Sequence, residues 1–538
     1  MSRTMTVVEA EPATAPSPIS QHATGPGTWG RLRDGARRVP RDRVVLAVLA
    51  ALLVALAVLS VWNITESSAF QDDEGTYTSQ AFSVLEDGEL APYTYWYDHP
   101  PLGWIQLGLL VWLPQLLGLG EDTHVGAARM VIAPFFVATA VLIYLIARRM
   151  EVRRPLAVVA AALFALSPLA LTIGRQVYLD NIGVAWLLLA YYLVLSPRNA
   201  LWHHIGAGVF FAVAVLSKET LAIFGPSLLL ALLNRPSWSN RAFSVVGFLV
   251  VGGAALALYP LMALLRGEFF SGAGHVSLQD ALVYQFLTRS GSGSIWEAGS
   301  SRAELLQGWL FYDRPLVVVG LVAAVLCLVQ RRSVWIPVGI AFFALPIVTG
   351  EGYLPAMYVI GVLPFLALAV GCALNMAWGR LERVADLQVP SVRRAVRAAG
   401  AVTVAFVLLV TVAPQWVGQN RTLLTHQTNQ DWSSALAWAE DNIPREDTVL
   451  APYSMWQDLS ASGWSDAWSV VATEKADLDP EFLNQHPEGA DAIDWVLVGP
   501  FVESNIDQLG LTTAGEALEN SVPVQTFGGW SIHRVLND

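Results

Sequence analysis

Three consecutive acids, Asp72-Asp73-Glu74, follow a long apolar run, and His99 comes shortly after within Tyr97-Asp-His-Pro-Pro-Leu-Gly103. Ionisable groups next to membrane spans are costly and usually functional. Their types define a chemistry. A carboxylate in a cleft can take the proton of an attacking hydroxyl as a general base. A second carboxylate can orient that hydroxyl or bind a cation. A lysine or arginine nearby can stabilise a departing phosphate. The chain supplies these parts as Asp73, Asp180, and Lys218 with Arg175. Lys218 stands out because Lys475 is the only other lysine; arginine carries nearly all the positive charge.

The elements that must position these groups are apolar. Hydrophobic residues make up 54% of the 538 and charged ones 14%, against roughly 25% charged in soluble domains. That balance implies a polytopic α-helical membrane protein. Cys327 and Cys372 both fall in apolar runs, so no disulfide framework is expected. From 417 to 538 there are 19 acidic and 4 basic residues. The charge of −12 therefore resides in an acidic tail domain attached to a near-neutral body, which argues against a nucleic-acid partner.

Residues 1–43, rich in Ala, Pro, Gly and Arg, read as a disordered tail. Arg31, Arg33, Arg37, Arg38, Arg41 and Arg43 precede the first apolar run, 44–62, which puts that tail in the cytoplasm. Further runs lie at 102–118, 125–147, 156–173, 181–195, 204–217, 221–233, 242–265, 315–330, 334–349, 354–377 and 399–416. If all crossed, the clusters at Arg148–Arg154, Arg235–Arg241, Arg331–Arg332 and Arg380–Arg397 would face outside. If 102–118 instead lies in the interface, every cluster faces the cytoplasm, as the positive-inside rule requires. Eleven spans are expected, with the C-terminus outside the plasma membrane. On that topology Asp73, Glu74, His99, Arg175, Asp180, Lys218, Glu219 and Glu351 converge on the outer face from four connections.

Two outer loops are long, 63–124 and 266–313. The second has a helix-like stretch at Leu278–Thr288 and a Gly/Ser segment at Ser290–Ser301, suited to a gating lid or a plain linker. Residues 417–538 read as a small extracytoplasmic α/β domain, with a helix at Asp431–Asn442 and strands at Thr448–Ala451, Asp494–Gly499 and Trp530–Val535. It holds seven tryptophans, suited to core packing, sugar stacking or the membrane interface. There is no P-loop and no Gly-rich dinucleotide fingerprint.

A lipid-linked donor would keep its chain in the bilayer and its phosphate at the interface, so these residues permit sugar transfer from a polyprenyl phosphate. The motifs also carry a resemblance. Asp73-Glu74 after the first span, followed by His99-Pro-Pro-Leu-Gly103, resembles the first outer loop of protein O-mannosyltransferases and their bacterial relatives. The aminoarabinose transferases belong to the same GT-C superfamily. Arg175-Gln-Val-Tyr-Leu-Asp180-Asn181 resembles the family's second acidic loop. Ser217-Lys218-Glu219 is similar to its Thr/Ser-Lys-Gly turn, and Gly352-Tyr353-Leu354-Pro355 to its Tyr-Leu-Pro start of a late span. The order along 44–380 matches.

The resemblance implies a GT-C fold and an enzyme that transfers a sugar from a polyprenyl-phosphate donor to a glycan, lipid or protein acceptor, with inversion. Asp73 would be the base, and Glu74 and Asp180 supporting carboxylates near the acceptor. Lys218, with Arg175, would contact the lipid phosphate. His99, Tyr97, Tyr353 and Glu219 would line the substrate site. The resemblance fixes no cofactor, and a divalent metal on His99 or Asp73 is left open. Thr76 and Glu219-Thr220 depart from the family pattern, so the donor sugar is left open too. A lipid-sugar flippase or a non-catalytic glycan-binding scaffold are the rival classes.

Overall fold

The chain is described here by a computed structural model covering residues 41–120, 123–234, 241–272, 274–384, 390–464 and 468–536. The tail expected at 1–40 and Arg235 lie outside those residues. The first helix begins at Arg41, so the last residues assigned to the tail are helical.

Among the described residues five helices are long and apolar enough to cross a membrane: Asp42–Val61, His124–Arg149, Arg241–Arg266, Ser301–Cys327 and Ala356–Arg383. The pair Arg154–Ala165 and Pro168–Gly174 would make a sixth, bent by 59°. Pro168 explains the break, because its ring cannot continue the preceding helix; Ser167 caps the second segment by accepting from Ala170 N. Shorter apolar helices include Leu179–Val194, Leu201–Ser217 and Trp335–Thr349. The Leu201–Ser217 helix stops at Lys218, whose extended backbone separates it from the 3-10 turn Glu219–Phe224.

The helix Ser301–Cys327 starts within the second long loop, capped by the Ser300 hydroxyl, and bends at Asp313 ahead of Pro315, beside the expected start of an apolar run at 315. The expected helix-like stretch is the helix Leu278–Val283 running into a π-turn, Tyr284–Thr288.

Two helices of the first outer loop, Asp72–Glu86 and Leu102–Leu116, pack together. Asp72, Asp73 and Glu74 fill the first turn of the former, where acids complement the helix dipole. Leu102–Leu116 buries Trp104, Leu107 and Val111 while Leu109, Trp112 and Leu116 stay exposed. Its exposed face is thus as apolar as its buried one.

The C-terminal region forms a five-stranded sheet from β1 (Val449–Ala451), β2 (Val470–Ala472), β3 (Trp495–Val498), β4 (Ser521–Phe527) and β5 (Trp530–Val535). The order is β2-β1-β3-β5-β4. β1 pairs with β2 and β3 in parallel, and β5 pairs antiparallel with β3 and β4. β2 and β4 add to the three strands expected.

This domain is fastened to the first outer loop. The helix Tyr453–Ala461 packs on Asp72–Glu86. Asp458 Oδ1 accepts from His124 N at 2.8 Å and contacts His124 Nδ1 at 2.7 Å. Tyr93 donates to the Val470 carbonyl at 2.5 Å, and Lys475 donates to the Thr94 carbonyl and to Asp479, each at 3.1 Å.

Gly75 makes the closest approach possible: a Cβ there would sit 2.1 Å from the Tyr453 carbonyl oxygen. Gly75→Ala should therefore push the domain off the first loop. The expected result is much faster proteolysis of residues 417–538, together with loss of activity. Unchanged cleavage would contradict this account of the seam.

Candidate active site

The Asp72–Glu86 helix presents Asp73 and Tyr77, four residues apart and so on one face. Asp73 is exposed in the helix's first turn, within electrostatic reach of Lys218, His99, Asp98 and Arg289. Loss of hydration there raises its carboxyl pKa, partly offset by the charges of Lys218, His99 and Arg289.

Facing it is a connected cluster. Lys218 Nζ lies 2.9 Å from His99 Nε2 and 3.2 Å from the Tyr77 hydroxyl, which itself lies 3.1 Å from His99 Nε2. His99 Nδ1 is 3.0 Å from Glu219 Oε2. With the Nδ1 proton donated to Glu219, Nε2 is left to accept from Lys218. Burial opposes charge on His99, but the Glu219 carboxylate outweighs it and raises the imidazole pKa. Glu219 in turn is partly exposed and held at about 2, because His99 and Lys218 favour the anion by more than the lost hydration opposes it.

Gly103 lets this happen, since a Cβ there would meet the Ser217 carbonyl at 2.7 Å. The His-Pro-Pro-Leu-Gly segment is thereby pressed against the turn that carries Lys218. Asp180 enters from the first turn of Leu179–Val194. It is 1% exposed, and its Oδ2 has no hydrogen-bond partner among the described residues.

Tyr353 is half exposed on the other side, with the Arg289 guanidinium 3.7 Å from its ring centre. Arg289 follows the π-turn of the second loop and feels the Asp73 charge. Asp98 completes the group, with Oδ1 buried and unpartnered among the described residues.

Three expected site residues make contacts away from the Asp73 cluster. Glu74 is fully buried; Oε1 accepts from Arg129 Nε and Val177 N at 2.8 Å, and Oε2 from Arg129 Nη2 at 2.5 Å and from Gln71 N and Gln176 Nε2 at 3.3 Å. No lone pair remains for an acceptor, so Glu74 positions the helix. Arg175 is 1% exposed and braces the first loop by donating through Nη2 to the carbonyls of Trp62 at 2.5 Å and Ser67 at 3.2 Å, while its Nε and Nη1 have no hydrogen-bond partner among the described residues. Tyr97 is buried and donates to Glu268 Oε2 at 2.6 Å, outside the Asp73 cluster. Glu351 is exposed, and its carbonyl accepts from Arg302.

For a metal, no group of three or more His, Cys, Asp or Glu gathers around one point among the described residues. Both His99 nitrogens are engaged with Glu219, Lys218 and Tyr77, which does not suit it as a ligand.

Residues 98–263 match the dolichyl-phosphate-mannose-protein mannosyltransferase family. No curated protein matches the chain. The fold is similar to that of ArnT from Cupriavidus metallidurans bound to undecaprenyl phosphate: 16% identity, TM-score 0.55, 91% of this chain and 97% of that one. It is also similar to AglB, an oligosaccharyltransferase from Archaeoglobus fulgidus, in complex with an inhibitory peptide and a dolichol-phosphate: 13% identity, TM-score 0.53, 91% and 74%. The chain thus shares the fold of these two glycosyltransferases, and its segment 98–263 is similar to the mannosyltransferase family.

Proposed function

We propose that the chain is an integral-membrane glycosyltransferase that moves a sugar from a polyprenyl-phosphate donor to an acceptor hydroxyl at the outer face of the plasma membrane. The acceptor is a glycan, lipid or protein of the cell envelope. One observation carries this reading: an exposed carboxylate, Asp73, lies within electrostatic reach of a buried lysine, Lys218, where apolar helices end. Base and phosphate ligand are the two groups that displacement of a lipid phosphate needs.

In the reaction the acceptor oxygen attacks the anomeric carbon as Asp73 takes its proton. The bond from that carbon to the phosphate oxygen breaks on the opposite side. The phosphate leaves with the bond's electron pair, stabilised by Lys218 and Arg289. The Glu219–His99 pair holds Lys218 in place, and Asp180 supports the lysine's charge from below. Eleven spans, a cytoplasmic N-terminus and an extracytoplasmic C-terminal domain fit this reading, because they bring the site to the outer leaflet.

The raised pKa of Asp73 sets a pH dependence. A base works only when deprotonated, so activity is present above its pKa and lost as pH falls through it. Because the pKa is raised, the acidic limb of kcat/KM should lie above the ordinary carboxylate value of about 4. A pH–rate profile with no acidic limb in that region would remove Asp73 from the role.

A further inference from the structure

A recess lies between the two long outer loops, beside the segment that carries His99. It is lined by Glu89, Ala91 and Tyr95 of the first loop, by Arg266 at the end of a helix, and by Glu268 and His275 of the second loop. It holds about 160 Å³ and opens to solvent. A cavity of about 150 Å³ admits a benzene-sized ring. A six-membered ring therefore fits here, with its substituents reaching out through the open side.

The lining suits hydroxyl groups. The chain turns at Gly267, whose φ of +75° is one that glycine adopts without strain. The turn sets Arg266 beside Glu268, with Nε 2.7 Å from Oε2 and Nη2 3.3 Å from Oε1. Tyr97 donates to the same Oε2 at 2.6 Å and fixes the carboxylate against the first loop. Lost hydration works against charge on Glu268, but Arg266 and Tyr97 outweigh it and hold the carboxyl below its usual range. Among the described residues nothing else bonds to the Arg266 guanidinium, so its Nη1 donors remain for a ligand. The His275 ring lies against Gly272, and its Nε2 is 3.3 Å from the Phe270 carbonyl. With the Nε2 proton given to that carbonyl, Nδ1 is left to accept.

A guanidinium donor, two carboxylates and an imidazole acceptor thus stand around an aromatic wall, Tyr95. A sugar hydroxyl both donates and accepts, and a sugar ring packs on apolar surface, so a neutral carbohydrate meets this set. Glu89 and Glu268 against Arg266 alone repel a phosphate or other anion. A metal is not caged, since no set of three metal-ligating side chains gathers among the described residues. Tyr95 also joins the recess to the Asp73 cluster: its ring lines the recess, and its hydroxyl donates to the His99 carbonyl at 2.7 Å.

We propose that this recess is a carbohydrate subsite that holds a sugar of a glycan acceptor away from its reacting hydroxyl. It rests on the glycosyl-transfer reading and adds the acceptor's class and the residues that grip it.

The test uses the full chain in nanodiscs and saturation-transfer NMR with methyl glycosides of mannose, glucose, galactose and arabinose as probes. One or more glycosides should bind the wild type and stay bound when polyprenyl phosphate is added. Ala91→Phe fills the recess and should weaken that binding at least about ten-fold. Arg266→Gln should weaken it about ten-fold, the loss expected of a charge-assisted hydrogen bond. Ala91 is partly exposed and Arg266 exposed, so both variants should keep the wild-type melting temperature. Absence of binding by every probe, binding unmoved by both substitutions, or displacement by polyprenyl phosphate would each overturn the subsite. Donor cleavage is measured separately: cleavage without glycoside binding sinks the subsite alone, whereas glycoside binding without cleavage of any donor sinks the glycosyl-transfer reading.

Discussion

Asp73→Asn should cut sugar transfer by about 100- to 10,000-fold, the range general-base catalysis supplies. The amide is nearly isosteric with the carboxylate and cannot take a proton at neutral pH. Among the described residues Asp73 makes no side-chain hydrogen bond, so its replacement disturbs little packing. Donor affinity should fall far less than turnover, because the phosphate is held by Lys218 and Arg289. Steady-state rates with a labelled donor, read against the melting temperature, check this. A folded variant keeping more than about a tenth of the activity would show that another group accepts the proton.

The second large effect is on stability. Glu74→Ala should destabilise the protein by about 3–5 kcal/mol, because it strands the buried Arg129 guanidinium without its counter-charge. Arg129 also donates to the carbonyls of Ile64 at 2.8 Å, Ser68 at 3.0 Å and Ala69 at 3.3 Å, so the first loop should loosen with it. The double variant Glu74→Leu with Arg129→Met removes both charges and should recover much of the loss. Thermal unfolding of the three proteins in one detergent is the check. A Glu74→Ala protein as stable as the wild type would mean that the pair is not what holds the loop.

The contrast between Asp73 and Glu74 explains why the sequence was only partly legible. Successive residues on a helix point about 100° apart, so two adjacent acids cannot both face one site. Asp73 faces it, and Glu74 turns back to Arg129. A signal for that existed, since Arg129 is a lone arginine within an apolar run and needs a partner there. Tyr77 was likewise within reach as the residue four beyond Asp73.

His99, Asp180, Lys218 and Glu219 were legible because charges at the ends of apolar runs sort by side once the arginine clusters fix the topology. Their convergence then follows from the outer face alone. Arg289 had no such signal, because it sits on a loop turn. The strands divide in the same way. β3 is a run of buried apolar residues. β2 is three residues long. β4 is mostly exposed and contains Pro523, so its sequence lacks the pattern of a buried strand.

The central claim is chemical: a sugar leaves its lipid phosphate at this site. The most direct measurement incubates the purified full chain in nanodiscs with labelled polyprenyl-phosphate sugars and membrane extract. Free polyprenyl phosphate and label on the acceptor are counted together. The account predicts that, for at least one sugar, the two appear in equal amounts. Movement of intact lipid-linked sugar between leaflets, with no polyprenyl phosphate released from any donor, would contradict it and identify a flippase.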